Sequence, residues 1–238
     1  MTYVISDLHG HFRESQKMLS KIGFSSGDRL LLAGDLTDKG PCPVECVRFA
    51  METPGVTTLL GNHDLMAAEA IRDGMQGETF ARWKRNEGEA TYAAFRRESA
   101  GFIEHYTAWV SRLPCYELVL TGGQPFAVCH AGADFTGLER QASLDPADVL
   151  AAMAPHEIVW NRYALRLARK PALLRRLTHT VVCGHTPTWQ FCKKRGGKIL
   201  DYGNLICIDC GAAYSEYPWS ALGCLRLEDR AQFTVPCR

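Results

Sequence analysis

Short apolar runs that break off into a glycine and then a carboxylate or a histidine constrain this chain most. Tyr3-Val4-Ile5 leads into Ser6-Asp7-Leu8-His9-Gly10-His11. Arg29-Leu30-Leu31-Leu32-Ala33 leads into Gly34-Asp35-Leu36-Thr37-Asp38-Lys39-Gly40, and Val56-Thr57-Thr58-Leu59-Leu60 into Gly61-Asn62-His63-Asp64. Continuous apolar runs of this length read as strands of a sheet covered on both faces. Helical segments separate them: one with Phe12, Leu19 and Ile22 on its apolar face and Gly23 at its end, one over 43–51, and one over 65–71. Strand, polar turn and helix thus recur three times, and such units gather their chemistry at the carboxyl ends of the strands. In extended backbone Asp7 and His9, two apart, would point to one side. Asn62 and Asp64, standing before a helix, also fit the plainer role of caps.

The later chain continues the theme. Residues 115–120 and 126–129, joined by Thr121-Gly122-Gly123-Gln124-Pro125, read as a β-hairpin that delivers His130. The run 180–183 ends in Gly184-His185-Thr186-Pro187, and 205–208 runs into Asp209-Cys210-Gly211. A short helix is expected over 145–153, a loop or hairpin over 193–198, and a last antiparallel pair over 221–227 and 232–235. The charge-rich stretch 78–112 reads as an insert of two or three helices. Its aromatics, Trp83 and Tyr92 among them, are expected to face a core, and the insert could wall one side of a cleft.

The 238 residues, 46% hydrophobic and 22% charged, leave room for one large α/β domain over 1–238. A net charge of +1 gives no global attraction to nucleic acid or membrane, so neither is expected as a partner. Residues 1–7 lack the basic flank and apolar core of an export signal, and no run approaches the ~20 apolar residues of a spanning helix, so a cytoplasmic location is expected. The ten cysteines are scattered, several inside apolar runs, and are expected as buried free thiols. Cys207-Ile208-Asp209-Cys210 has no second pair at zinc-ribbon spacing.

Five strand ends therefore carry Asp7 and His9, Asp35 and Asp38, Asn62 and His63, His130, and His185. Oxygen and imidazole donors without thiolate suit manganese, iron or zinc. The donors exceed the needs of one tetrahedral ion, and a carboxylate such as Asp35 can bridge two. Two ions roughly 3.5–4 Å apart clamp the attacking and leaving oxygens of an in-line phosphoryl displacement and lower the pKa of a shared water.

In the blocks Asp7-Leu8-His9, Gly34-Asp35-Leu36-Thr37-Asp38, Gly61-Asn62-His63-Asp64, His130 and Gly184-His185, present in this order, the sequence resembles the calcineurin-like metallophosphoesterase superfamily. The resemblance implies a four-layer α/β fold, a central β-sandwich flanked by helices, and two divalent ions, manganese foremost. It implies Asp7, His9 and Asp35 as ligands of the first ion, and Asp35, Asn62, His130 and His185 of the second. His63 would be the general acid, oriented by Asp38, with Arg162 and Lys39 on the substrate phosphate. His11 matches no ligand position and is expected beside the site or exposed.

Gly184-His185-Thr186-Pro187, together with Trp160-Asn161-Arg162 and 204–211, is similar to bacterial serine/threonine phosphoprotein phosphatases. The leading expectation is therefore a phosphomonoesterase that hydrolyses phosphoserine and phosphothreonine in proteins by in-line attack of a metal-bridging hydroxide. Two positions depart from that family: Lys39 and Leu60 stand where it usually has arginine. Lysine is a point charge without the guanidinium fork, and leucine carries no charge. An uncharged residue before Gly61-Asn62-His63-Asp64 also resembles the bacterial diadenosine tetraphosphate hydrolases. A nucleotide polyphosphate is thus the alternative substrate, and a metal-dependent binding module without catalysis is a third reading.

Overall fold

Alternation along each strand decides which layer its side chains enter. The structure, a computed structural model, describes residues 1–138 and 140–237. Among the described residues ten strands are formed: β1 (Thr2–Ile5), β2 (Arg29–Leu32), β3 (Val56–Thr58), β4 (Tyr116–Thr121), β5 (Gln124–Cys129), β6 (Thr180–Cys183), β7 (Leu200–Asp201), β8 (Leu205–Cys207), β9 (Ala221–Arg226) and β10 (Gln232–Pro236). They build two five-stranded sheets, ordered β10-β9-β1-β2-β3 and β4-β5-β6-β8-β7. In the first, β1, β2 and β3 run parallel and β9 is antiparallel to β1. In the second, β5, β6 and β8 run parallel.

Val4, Leu31, Phe126, Val128, Val182 and Ile206 meet between the sheets. Their neighbours along the strands point outward. Tyr3, Ile5, Leu30 and Leu32 pack under the helices Phe12–Ile22 and Pro43–Glu52, through Met18, Cys46 and Phe49. Ala127, Cys129, Val181, Cys183, Leu205 and Cys207 pack under Leu150, Ile158, Leu167 and Leu173 of four short helices. The period-two pattern thus fills three apolar layers, and the result is a β-sandwich with helices on both outer sides. The apolar runs read from the sequence are these strands.

The stretch 78–112 forms three helices, Gly77–Arg85, Glu89–Phe95 and Ala100–Val110. Trp83, Phe95 and Tyr106 pack against Met66, Ala67 and Ala70 of the helix Asn62–Arg72. The rings of Phe95 and Tyr106 meet edge-on at 4.9 Å. The aromatic residues face this core. All ten cysteines are free, and Cys207 and Cys210 are buried. No helix among the described residues is long and apolar enough to cross a membrane.

The loop expected over 193–198 is present and opens with a 3-10 turn at 193–195, and an antiparallel pair forms further on, between β7 and β8. One local expectation is corrected. The helix after β3 begins at Asn62, so Asn62 and His63 occupy its first turn and its N-cap residue, Gly61, has no side chain to cap it. A carboxylate from another strand end occupies that helix terminus instead, as the site geometry makes plain.

Phe126 is fully buried between the sheets. Phe126→Ala is expected to cost about 3–5 kcal/mol, read as a lower urea midpoint at an unchanged slope. A loss under about 1 kcal/mol would mean that the sheets are not held by this layer.

Candidate metal centre

The loops that follow the parallel strands leave regular geometry at once. Asp7, His9, Asp35, Asp38, Lys39 and His185 all have positive φ, between 42° and 72°. For residues with a Cβ this costs about 1–3 kcal/mol each and persists only where the surroundings dictate it. The expectation that Asp7 and His9 share a side because the backbone is extended is therefore wrong. They converge because left-handed turns aim them. Backbone bonds between the loops after β1 and β2 fix those turns: Asp7 N–H donates to Gly34 O at 3.1 Å, His9 N–H to Asp35 O at 2.9 Å and Gly10 N–H to Leu36 O at 2.9 Å. Gly184 makes the close approach from the second sheet, since a Cβ there would lie 2.1 Å from Asp7 Oδ2.

Asp35 sits at the middle. Its Oδ1 accepts the backbone N–H of His63 at 2.9 Å, so its charge lies at the N-terminus of the helix Asn62–Arg72 and satisfies one of the orphan donors there. Its Oδ2 is 3.6 Å from His9 Nε2 and 3.3 Å from His130 Nε2. Burial pushes the Asp35 carboxyl up, but His130 and His63 outweigh it and hold it well below the usual carboxylate range. His9 Nδ1 lies 2.9 Å from Thr37 O and His130 Nδ1 2.7 Å from Ala33 O. A carbonyl only accepts, so each Nδ1 carries a proton and each ring turns Nε2 toward Asp35. His130 Nε2 is also 2.9 Å from Asn62 Oδ1.

The second sheet closes the site. The His185 backbone N–H donates to both oxygens of Asp7, at 3.1 and 3.0 Å. Burial, followed by the charge of His130, lowers the His185 pKa to about 3, so the ring is neutral. Its Nε2 is buried and has no hydrogen-bond partner in the structure. Burial raises Asp7 to about 6, as for a carboxylate short of positive charge.

Donor atoms of Asp35, His130 and His185 lie within 4.8 Å of one another, and so do those of His9, Asp35 and His63. The two groups share Asp35. An orphaned imidazole nitrogen, an under-compensated carboxylate and two nitrogen–oxygen donor sets joined by one carboxylate all fit divalent cations. Asp7 Oδ1 stands 4.0 Å from His9 Nε2, close enough to contribute to the first group.

His63 is tied differently from the other rings. Its Nδ1 lies 2.7 Å from Asp38 Oδ2, which leaves Nε2 as the atom that could act as ligand or proton donor. Burial opposes protonation of His63, but Asp35 and the bond to Asp38 outweigh it and raise its pKa. The Trp83 indole N–H donates to both Asp38 oxygens, at 3.0 and 2.9 Å, and the Asp38 N–H donates to Thr91 Oγ1 at 2.7 Å. The helical insert therefore anchors Asp38, a link with no local signal in the sequence.

Both candidate phosphate-binding cations stand beside the centre. Arg162 is exposed, and its Nη1 reaches Thr186 Oγ1 at 3.3 Å and Gln190 Oε1 at 3.4 Å. Lys39 lies close enough for its charge to disfavour protonation of His9 and His63, and it pairs at 3.5 Å with the exposed carboxylate of Glu87. Leu60 is buried in the apolar cluster that also holds Val44 and Met66. His11 is buried, not exposed, with Nδ1 3.6 Å from Glu14 Oε2.

Two residues escaped sequence reasoning. Asp64, fully buried, accepts the N–H groups of Asp35 at 2.8 Å and Leu36 at 3.1 Å and the Thr37 hydroxyl at 3.3 Å, so it holds the loop that carries Asp35. It reads as a cap in sequence because its partners lie 27–29 positions away. Asp209 follows β8 as the candidate ligands follow their strands, and that parallel was the available signal. Burial, reinforced by the charge of Asp7, pushes its carboxyl well above the ordinary value.

A helix-flanked sandwich with paired aspartate–histidine sets at its strand ends is the architecture of a metallophosphoesterase. The family model for calcineurin-like phosphoesterases matches residues 2–212, and the chain belongs to that family. It is 32% identical over 133 residues to a protein of Vibrio parahaemolyticus named a symmetrical bis(5'-nucleosyl)-tetraphosphatase, a match covering 55% of this chain and 44% of the relative. A relative of the same name from Aromatoleum aromaticum is 33% identical over 132 residues, covering 55% and 43%. The matched stretch thus spans under half the length of these relatives. A metallophosphoesterase from Sphaerobacter thermophilus superposes with a TM-score of 0.59 at 18% identity, covering 100% of this chain and 89% of that one. A serine/threonine phosphatase from Saccharomyces cerevisiae gives 0.61 at 15%, covering 98% and 78%. These two likenesses are of fold. The expectation of a phosphoserine and phosphothreonine phosphatase is overturned, because the curated relatives carry the name of dinucleotide hydrolases.

One divalent ion at 100 times its Kd adds about 2.7 kcal/mol of stability, which for a chain of this size is a rise in Tm of roughly 5–10 °C. Manganese added to chelator-treated protein is expected to give that rise, and Asp35→Asn to abolish most of it. A wild-type Tm indifferent to manganese, zinc and iron would refute the site.

Proposed function

We propose that the chain hydrolyses dinucleoside polyphosphates of the diadenosine tetraphosphate type, as one domain over 1–238 that includes the helical insert. The observation that carries this is the 133-residue similarity to relatives named symmetrical tetraphosphatases. The buried, uncharged Leu60 supports it, since it removes a cation expected of the protein phosphatases. Asp7, His9 and Asp35 would hold one ion and Asp35, Asn62, His130 and His185 the other, with manganese the first choice. Two cations there supply Lewis acidity and make hydroxide accessible at neutral pH.

The chain's own groups do the rest. Arg162 offers a bidentate fork to phosphate oxygens and Lys39 a point charge. Water oxygen bonds to phosphorus opposite the bridging oxygen and releases one proton to solvent, the bridging P–O bond breaks, and the bridging oxygen leaves with its nucleotide. His63, whose pKa Asp35 and the bond to Asp38 raise, gives that oxygen its proton. Asp38, fixed by Trp83 and Thr91, holds Nδ1 and stabilises the charged ring.

Leaving groups separate the roles. A departing phosphate titrates at about pH 6 and needs little help, whereas a serine alkoxide needs a full proton. With manganese, diadenosine tetraphosphate is expected to be turned over faster than a phosphoserine peptide. His63→Asn is expected to lower turnover of an alkyl phosphate by roughly 10²–10⁴ and of the dinucleotide by less. Turnover of the peptide alone would sink the dinucleotide reading; equal losses on both substrates would sink the role of His63.

A further inference from the structure

Beside the centre stands a group of aromatic rings that the proposed reaction does not use. Tyr217 and Trp219 stack with centroids 5.2 Å apart and planes 18° apart. Tyr214 and Trp189 pack against Trp219 at 6.3 and 6.1 Å. Backbone without side chains lies against Trp219: a Cβ on Gly211 would come within 2.6 Å of its ring and one on Gly196 within 2.9 Å. Trp219 is thereby wedged in place and Tyr217 lies flat upon it. A small core that pins the loop would explain Trp189, Tyr214 and Trp219. It does not explain Tyr217, which is 47% exposed.

Charge ties this stack to the phosphate side of the site. Lys39 Nζ is 5.2 Å from the Tyr214 ring centre, and that ring is 6.5 Å from Tyr217. The Tyr214 hydroxyl lies where both Lys39 and Arg162 act on it. Arg162 in turn bonds to Gln190, the neighbour of Trp189 in sequence. The wall is therefore flanked by the two cations proposed to hold phosphates, and two short steps join its outer ring to the nearer one. A flat, pre-set aromatic surface that close to phosphate-binding cations matches a molecule with a planar base at one end and phosphates at the other.

We infer that the outer face of Tyr217, backed by Trp219, is a platform on which one nucleobase of the substrate stacks while Lys39 and Arg162 take the phosphates beyond it. The inference rests on the reading of the site as a dinucleotide hydrolase. Stacking on an aromatic side chain contributes about 1–3 kcal/mol per base, a factor of roughly 5–150 in affinity. The test compares ADP with inorganic pyrophosphate, which differ by the nucleoside alone, on the manganese-loaded protein by calorimetry and tryptophan fluorescence. The wild type is expected to bind ADP at least about fivefold more tightly. Tyr217→Ala is expected to bring the two affinities within about twofold, and Tyr217→Phe to keep the preference. Equal wild-type affinities, or a preference that survives in Tyr217→Ala, overturn the platform. A wild type that prefers ADP in the way described yet cleaves only phosphopeptides retires the hydrolase reading and leaves the platform standing.

Discussion

A buried carboxylate is costly unless its charge is answered, and Asp35 is almost fully buried. The surrounding structure reads as a set of answers to it. A helix N-terminus donates to one oxygen, and two imidazoles turn Nε2 toward the other. Asp64 holds the backbone that carries it. Each answer creates a further demand. The imidazoles must be fixed by carbonyls through Nδ1, and the loops must adopt left-handed backbone to bring those carbonyls into place. The strain in the turns is the consequence of satisfying one charge from several directions.

The helical insert acts on chemistry at a distance. Trp83 belongs to the apolar core of the insert, yet its indole N–H is spent on Asp38. Packing of that core therefore sets the orientation of Asp38 and, through it, of His63. A residue can fill volume and tune a proton donor at once, because the indole is apolar along its body and polar at one edge.

The strand-end donors were legible because each lies directly after an apolar run, and short apolar runs in a sandwich are strands. Asp7, His9, Asp35, Asn62, His63, His130 and His185 were found in that way. The turns were not legible. Nothing in Asp7-Leu8-His9 announces left-handed backbone, which non-glycine residues adopt only under tertiary compulsion. The role of Asp64 and the indole bond of Trp83 were missed because their partners lie 27 to 45 positions away. Asp209 was a missed analogy, since β8 obeys the rule used for the other strands. The substrate was misread from the segment after β6, although Leu60 already pointed elsewhere.

The bonds that assemble the centre cross the seam between the sheets. His185 meets Asp7 across 178 positions and His130 meets Ala33 across 97. The strand bearing Asp7 and His9 gains its second neighbour, β9, only from residues 221–226. Contacts of such separation form late, because loop closure must precede them, and a chain made from its N-terminus offers Asp35 long before it offers His130 or His185. The residues from Asp7 to Asp64 can thus arrange one another through bonds of short separation, and His130 and His185 join them only from the second sheet.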